Sequence, residues 1–159
     1  MLNKILATEH PKGKEEILAT DIIYKNILIP KGSRVWWNSR NIIILFHPSK
    51  EITINGLTYQ KDLALFLHDN GQVRRGCIAK KFKLARRKTL ERGTIIYQKH
   101  TGIISQIFFP EGGRYHQKDY LPGTLLSLAP RTWNVVTVQS GTVIEDPQDP
   151  HLSQPSHPS

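Results

Sequence analysis

The chain has 159 residues, 38% of them hydrophobic, enough to bury a core without covalent staples. Lys and Arg number 22 against 13 Asp and Glu, a formal charge of +9, and the single cysteine, Cys77, excludes an intrachain disulfide and a cysteine-based zinc site. The opening MLNKILATEHPKGKEE holds no apolar stretch of signal-peptide length, and the longest apolar run, IIILF at 42–46, is strand-sized, so cytoplasmic residence without a membrane span is expected.

Residues 1–16 read as an N-terminal segment. ILATEHPKG at 5–13 echoes the later ILIPKG, as a truncated repeat would, and KGKEEILATDI is compatible with one or two helical turns. From residue 17 a register appears. ILIPKGSRVWWNSRNII, LTYQKDLALFLHDNGQV, KTLERGTIIYQKHTGII and KDYLPGTLLSLAPRTWN align on Gly32, Asp62, Gly93 and Gly123, spaced 30, 31 and 30 residues apart. A large apolar group lies three residues before each anchor (Ile29, Tyr59, Leu90, Tyr120) and three after (Val35, Leu65, Ile96, Leu126). A turn former lies nine after (Asn41, Gly71, Gly102, Thr132). A steady period near thirty is the mark of a repeat.

Within each unit, short stretches such as SRVWWN, LALFLH and GTIIYQ are rich in β-branched and aromatic residues and bounded by turn formers. Asn70-Gly71 in HDNGQV predicts a type I′ hairpin, and Pro before Gly in IPKGS and LPGT predicts turns. The expected fold is all-β: an antiparallel meander of nine to eleven strands in four thirty-residue units over 17–143, as an open twisted sheet or a barrel. Residues 144–159 contain four of the ten prolines, three acids and no Lys or Arg, which predicts a disordered acidic tail.

Alternation along a strand puts the residues three and five after each anchor on a core face and the residue four after on the other. That second face would carry Trp36, Phe66 and Tyr97 as an aromatic column, with Arg34, His68 and Lys99 beside it. Such a column could stack bases, sugars or a peptide, or simply stabilise the sheet through cross-strand contacts. Nine basic residues then fall between Arg74 and Arg92, against the single acid Glu91. Arg74, Arg75, Lys80, Lys81, Arg86 and Arg87, with Arg34, form a candidate basic patch for a protein partner or a polyanion, either nucleic acid or acidic lipid headgroups. The same cations could instead protect a sheet edge.

Catalytic patterns are absent. No phosphate loop, Gly-x-Ser-x-Gly elbow, His-x-His or His-Glu-x-x-His occurs, and carboxylates are scattered. No cofactor, metal or catalytic residue is expected. The loop PEGGRYHQKDY, with Arg114, His116, Lys118 and Asp119, is the one candidate for small-molecule chemistry, and His47, His68, His100 and His116 come from different units.

The hairpin pattern Phe66-x-x-x-Asn70-Gly71-x-Val73, echoed by Tyr97-x-x-x-Thr101-Gly102-x-Ile104, resembles bacterial MORN-like repeat proteins, although the period is longer and the Tyr-x-Gly and Gly-x-Gly pattern is missing. The resemblance implies a non-enzymatic scaffold for protein or lipid-surface contact; a binding module of this kind would suit a bacterial effector or an immunity-type partner protein. Residues 110–144 also resemble a cupin barrel in their rhythm of turn and strand, with Trp133 where that family has a ligand histidine. The leading expectation is therefore a non-catalytic binding module. The alternatives are a nucleic-acid binder using 74–92 with aromatic stacking, and a small-molecule enzyme or cupin-like barrel around His116. Free sheet edges would favour a homodimer.

Overall fold

The structure, a computed structural model, describes residues 13–142. It consists of strands and turns, and the chain order repeats a simple sentence. β1 (Gly13–Ile17) leads into a hairpin, β2 (Ile22–Tyr24) and β3 (Ile27–Ile29), then two sheet strands, β4 (Arg34–Asn38) and β5 (Ile43–His47). The second hairpin is β6 (Ile52–Ile54) and β7 (Leu57–Tyr59), followed by β8 (Leu65–Leu67) and β9 (Val73–Cys77). The third is β10 (Phe82–Ala85) and β11 (Lys88–Leu90), followed by β12 (Ile95–Gln98) and β13 (Ile104–Phe109). The fourth is β14 (Gly113–Tyr115) and β15 (Lys118–Tyr120), followed by β16 (Thr124–Leu128) and β17 (Val135–Gln139).

Nine strands form one antiparallel sheet in the order β1-β4-β5-β8-β9-β12-β13-β16-β17, and each hairpin is a separate two-stranded ribbon. Among the described residues the sheet is open, with β1 and β17 as its edges, and the described part of the cupin-like stretch forms the last hairpin and strand pair of the meander. Seventeen strands replace the nine to eleven expected, because two-residue reversals cut each connecting stretch into three- or four-residue strands. Residues 13–16, assigned from sequence to an N-terminal segment, belong to β1 and pair with β4 instead of forming a helical turn. The rest of that segment, and the expected acidic tail at 144–159, lie outside the described residues.

The anchors are conformational. Gly32, Asp62, Gly93 and Gly123 have φ of 85°, 64°, 89° and 83°, the left-handed region where a side chain is strained. Each anchor N–H also donates to the strand before its hairpin, at Leu18, Pro48, Ile78 and Phe109 carbonyls respectively, over 2.8 to 2.9 Å. The turn predicted at Asn70-Gly71 differs from type I′. Only Gly71 has positive φ, and its N–H donates to the His68 carbonyl, the three-residue loop in which a turn is followed by one left-handed residue. The paired positive φ values of type I′ belong to the hairpin tips Lys25-Asn26, Asn55-Gly56 and His116-Gln117.

The hairpins fold over one face of the sheet and close the core. Ile27, Ile29, Leu57, Tyr59, Leu90 and Tyr115 from the hairpins share one buried cluster with Val35, Phe46, Leu65, Ile96, Ile107 and Leu126 from the sheet. Residues three before and three after each anchor are therefore core positions, as the period requires, with Tyr120 only half-buried. Hairpin tyrosines also tie the layers by hydrogen bonds. Tyr24 Oη accepts from the Ile43 N–H at 3.1 Å, and Tyr115 Oη donates to the Trp133 carbonyl at 2.7 Å.

Candidate macromolecule interface

On the face away from the hairpins, strand pairing sets one continuous row: Glu15, Trp36, Leu45, Phe66, Arg75, Tyr97, Gln106, Ser127, Thr137. The three aromatics stand in register, but a returning strand lies between each pair, so Leu45 and Arg75 separate the rings. Alternate strands lie about 9–10 Å apart. Trp36 and Phe66 are 4% and 1% exposed, and Tyr97 is half-buried.

Their ring faces are occupied by arginine. The Arg34 guanidinium lies 6.0 Å from the Trp36 ring centre, with Arg34 3.7 Å from Glu15. Arg75 lies 4.1 Å from Phe66 and 6.0 Å from Tyr97, and Arg74 lies 5.2 Å from Phe66. A repeated β-bulge explains how two consecutive arginines reach one ring. In every unit the second strand carries one extra residue at this level: Ile44, Arg74, Ser105 and Val136. The bulge turns both residues of the pair toward the partner opposite, which here is Phe66. Desolvation, and then the like charge of Arg75, lower the Arg74 pKa from its usual range. Cation–π contacts of this kind contribute about 0.5–2 kcal/mol each, more when desolvated.

The basic patch read from sequence therefore divides. Arg34, Arg74 and Arg75 lie over the aromatic row, whereas Lys80, Lys81, Arg86 and Arg87 belong to the third hairpin and its entry turn, on the opposite layer. Phe82 and Leu84 pack on the core and Leu90 is buried, so the hairpin's apolar side is committed inward. Its outward positions are cationic. Lys80, Lys81, Lys83, Arg86 and Arg87 are all exposed, and among the described residues none of them forms an ion pair. Arg92 differs, donating to the Ala79 carbonyl at 2.7 Å and lying 3.8 Å from Glu51.

Comparing the outward cross-strand pairs of the four hairpins isolates this one. They are Ile23–Leu28, Thr53–Thr58, Lys83–Thr89 and Arg114–Asp119. The second is closed by a hydroxyl–hydroxyl bond of 2.8 Å and the fourth by an ion pair of 2.9 Å, so the third alone presents uncompensated charge. Sequence reasoning passes over the first pair, whose Ile23 and Leu28 are 77% and 58% exposed, Leu28 bordering a cleft of about 310 Å³ between the first and second hairpins. In IIYKNILI the core residues are Ile22, Tyr24, Ile27 and Ile29, a spacing that the two-residue tip interrupts.

The fourth hairpin holds the residues singled out for small-molecule chemistry. His116 sits at its tip, where Nδ1 lies 3.3 Å from the Arg87 carbonyl, so the ring N–H donates and joins the third and fourth tips. The histidines do not converge. His68 and His100 approach to 6.4 Å beside an open crevice of about 500 Å³ that Arg74 also lines. His47 instead packs at 4.9 Å on Trp36. Among the described residues no group of three His, Cys, Asp or Glu is placed to hold a metal.

Fold and surface together define an open, all-β meander of repeated hairpins with one cationic hairpin. No protein-family model, curated protein or solved structure matches this chain.

Proposed function

We propose that this chain is a non-catalytic binding module whose third hairpin docks against the acidic surface of a partner protein. The observation that carries the reading is the third hairpin itself, with five exposed cations within residues 80–87 and no ion pair among the described residues to neutralise them. Isolated like charges on a stiff, core-anchored ribbon raise the local potential and steer an acidic partner, which speeds association more than it deepens affinity. The role agrees with the scaffold that the MORN-like resemblance implies.

Burial favours a protein surface over nucleic acid. Base stacking needs accessible rings, and Trp36 and Phe66 lie beneath arginines. Without stacking, nucleic acid would be held through phosphates alone, with a steep salt dependence and no base preference. Anisotropy titrations of a labelled acidic peptide and of single- and double-stranded oligonucleotides, over a salt series, test the reading. Peptide binding that outlasts oligonucleotide binding as salt rises supports it. Oligonucleotides binding more tightly throughout would replace it with a phosphate-binding role, and binding of neither would remove it.

A further inference from the structure

The two ends of the repeat are chemically unlike. On the core face, one row of side chains runs Glu16, Val35, Phe46, Leu65 and continues Gly76, Ile96, Ile107, Leu126, Val138. At the first end it closes on a charge. Glu16 accepts from Trp37 Nε1–H at 2.7 Å, and β1 carries Lys14, Glu15 and Glu16 along its five residues. Charged residues on an edge strand oppose pairing with another chain.

At the other end the row runs out on Val138, 51% exposed. Strand β17 reads VVTVQ, without charge, proline or glycine, and residues 132–142 contain no charged side chain. Val136 is 63% exposed, and Leu121, beside the last anchor, is 76% exposed. Leu121 stands two residues before its anchor, a position that is buried at Pro30, half-buried at Gln60 and exposed as a charged side chain at Glu91. Gln60 donates from backbone and side chain to the carbonyls of Cys77 and Ile78. In the last unit no further strand pair follows among the described residues. A repeat stack needs a polar terminal cap, and this end presents apolar side chains and an open ladder edge instead.

A second copy fits this edge, since an uncharged strand lets two chains of charge +9 approach where repulsion is least. We propose that two copies associate through β17, antiparallel and related by a two-fold axis near Thr137, so that Val136, Val138 and Leu121 become interface residues. A five-residue edge lies at the small end of protein interfaces, so the dimer is concentration-dependent.

Sedimentation velocity of the full chain across a concentration series tests this. The expected result is a shift from one-chain to two-chain mass, lost in Val136→Lys with Val138→Lys while the far-ultraviolet circular dichroism is unchanged. Should that variant unfold, exposed Thr137→Cys keeps the test alive. Residues facing each other across an antiparallel pair have Cα atoms about 4.5–5.5 Å apart, within disulfide range, and native Cys77 is buried. An interchain disulfide through residue 137 is then expected. A single-chain mass at every concentration overturns the proposal, as does a dimer that survives both lysines. Growth into longer polymers also overturns it, since that would mean β17 pairs head to tail with β1.

Discussion

Gly76 lies in the middle of β9, where the repeat places a large side chain in other units, and its replacement by alanine provides a measured test of the two-layer packing. A Cβ built there meets Leu65 Cδ2 at 2.7 Å and the Tyr59 ring at 2.8 Å, about 0.7–1 Å inside an ordinary carbon–carbon contact. Tyr59 is 1% exposed and its hydroxyl accepts from Gln98 Nε2 at 3.3 Å, so the ring has little room to retreat. Overpacking of a tight core costs about 1–3 kcal/mol, and a domain of this size loses about 3–5 °C in Tm per kcal/mol. Gly76→Ala should therefore lower Tm by roughly 3–15 °C. Combining it with Tyr59→Leu should recover about 1 kcal/mol of coupling in a double-mutant cycle, read by urea unfolding. If Gly76→Ala costs less than about 0.5 kcal/mol, or the cycle shows no coupling, hairpin and sheet do not pack as argued here.

Gly93 separates backbone strain from packing, because its φ is 89° and nothing lies within 4 Å of an added Cβ. Gly93→Ala should cost about 1–2 kcal/mol in urea unfolding and Gly93→Asn less, as Asp62 at φ 64° shows a short polar side chain accommodated at the same position. Burial pushes the Cys77 thiol up from 9.0 to about 11 and the Tyr115 hydroxyl up from 10.0 to about 12. The unfolded chain then loses these protons first and binds fewer than the folded chain, so their contribution is intact below about pH 9 and falls as pH rises toward 11–12. Urea midpoints over that range should decline, and a flat profile would contradict the burial of both groups. Native Cys77 should also resist thiol reagents near neutral pH at a rate set by unfolding, and rapid labelling of the folded chain would contradict its burial.

The period was legible because it rests on a conformational demand. A left-handed residue is needed at the same place in every unit, and Gly32, Gly93 and Gly123 announce it, while Asp62 is recognisable only through the spacing of its neighbours. The hairpins were not legible as such. Three-residue strands are too short to display alternation, and the tips Lys25-Asn26 and His116-Gln117 contain no glycine. The aromatic row followed from counting four residues past each anchor, but its interleaving did not. That required the bulge at Arg74, which aims two arginines at Phe66 and lays their guanidinium groups against the ring. Composition revealed the basic stretch, whereas only strand register shows that Lys83 points outward and that Arg92 is held by Glu51 and the Ala79 carbonyl.

The central claim is that the position of the charge on the third hairpin, rather than the net charge of the chain, creates the interface. The most direct measurement compares the affinity of a labelled acidic peptide for two variants of identical net charge, Arg86→Glu with Arg87→Glu and Lys31→Glu with Lys61→Glu. All four side chains are exposed, so neither pair should disturb stability by more than about 0.5 kcal/mol. The hairpin variant is predicted to lose about tenfold or more in affinity, with a shallower salt dependence, while the control pair stays within about twofold of the parent. Equal losses in both variants would contradict the account and reduce the third hairpin to one part of a generally cationic surface.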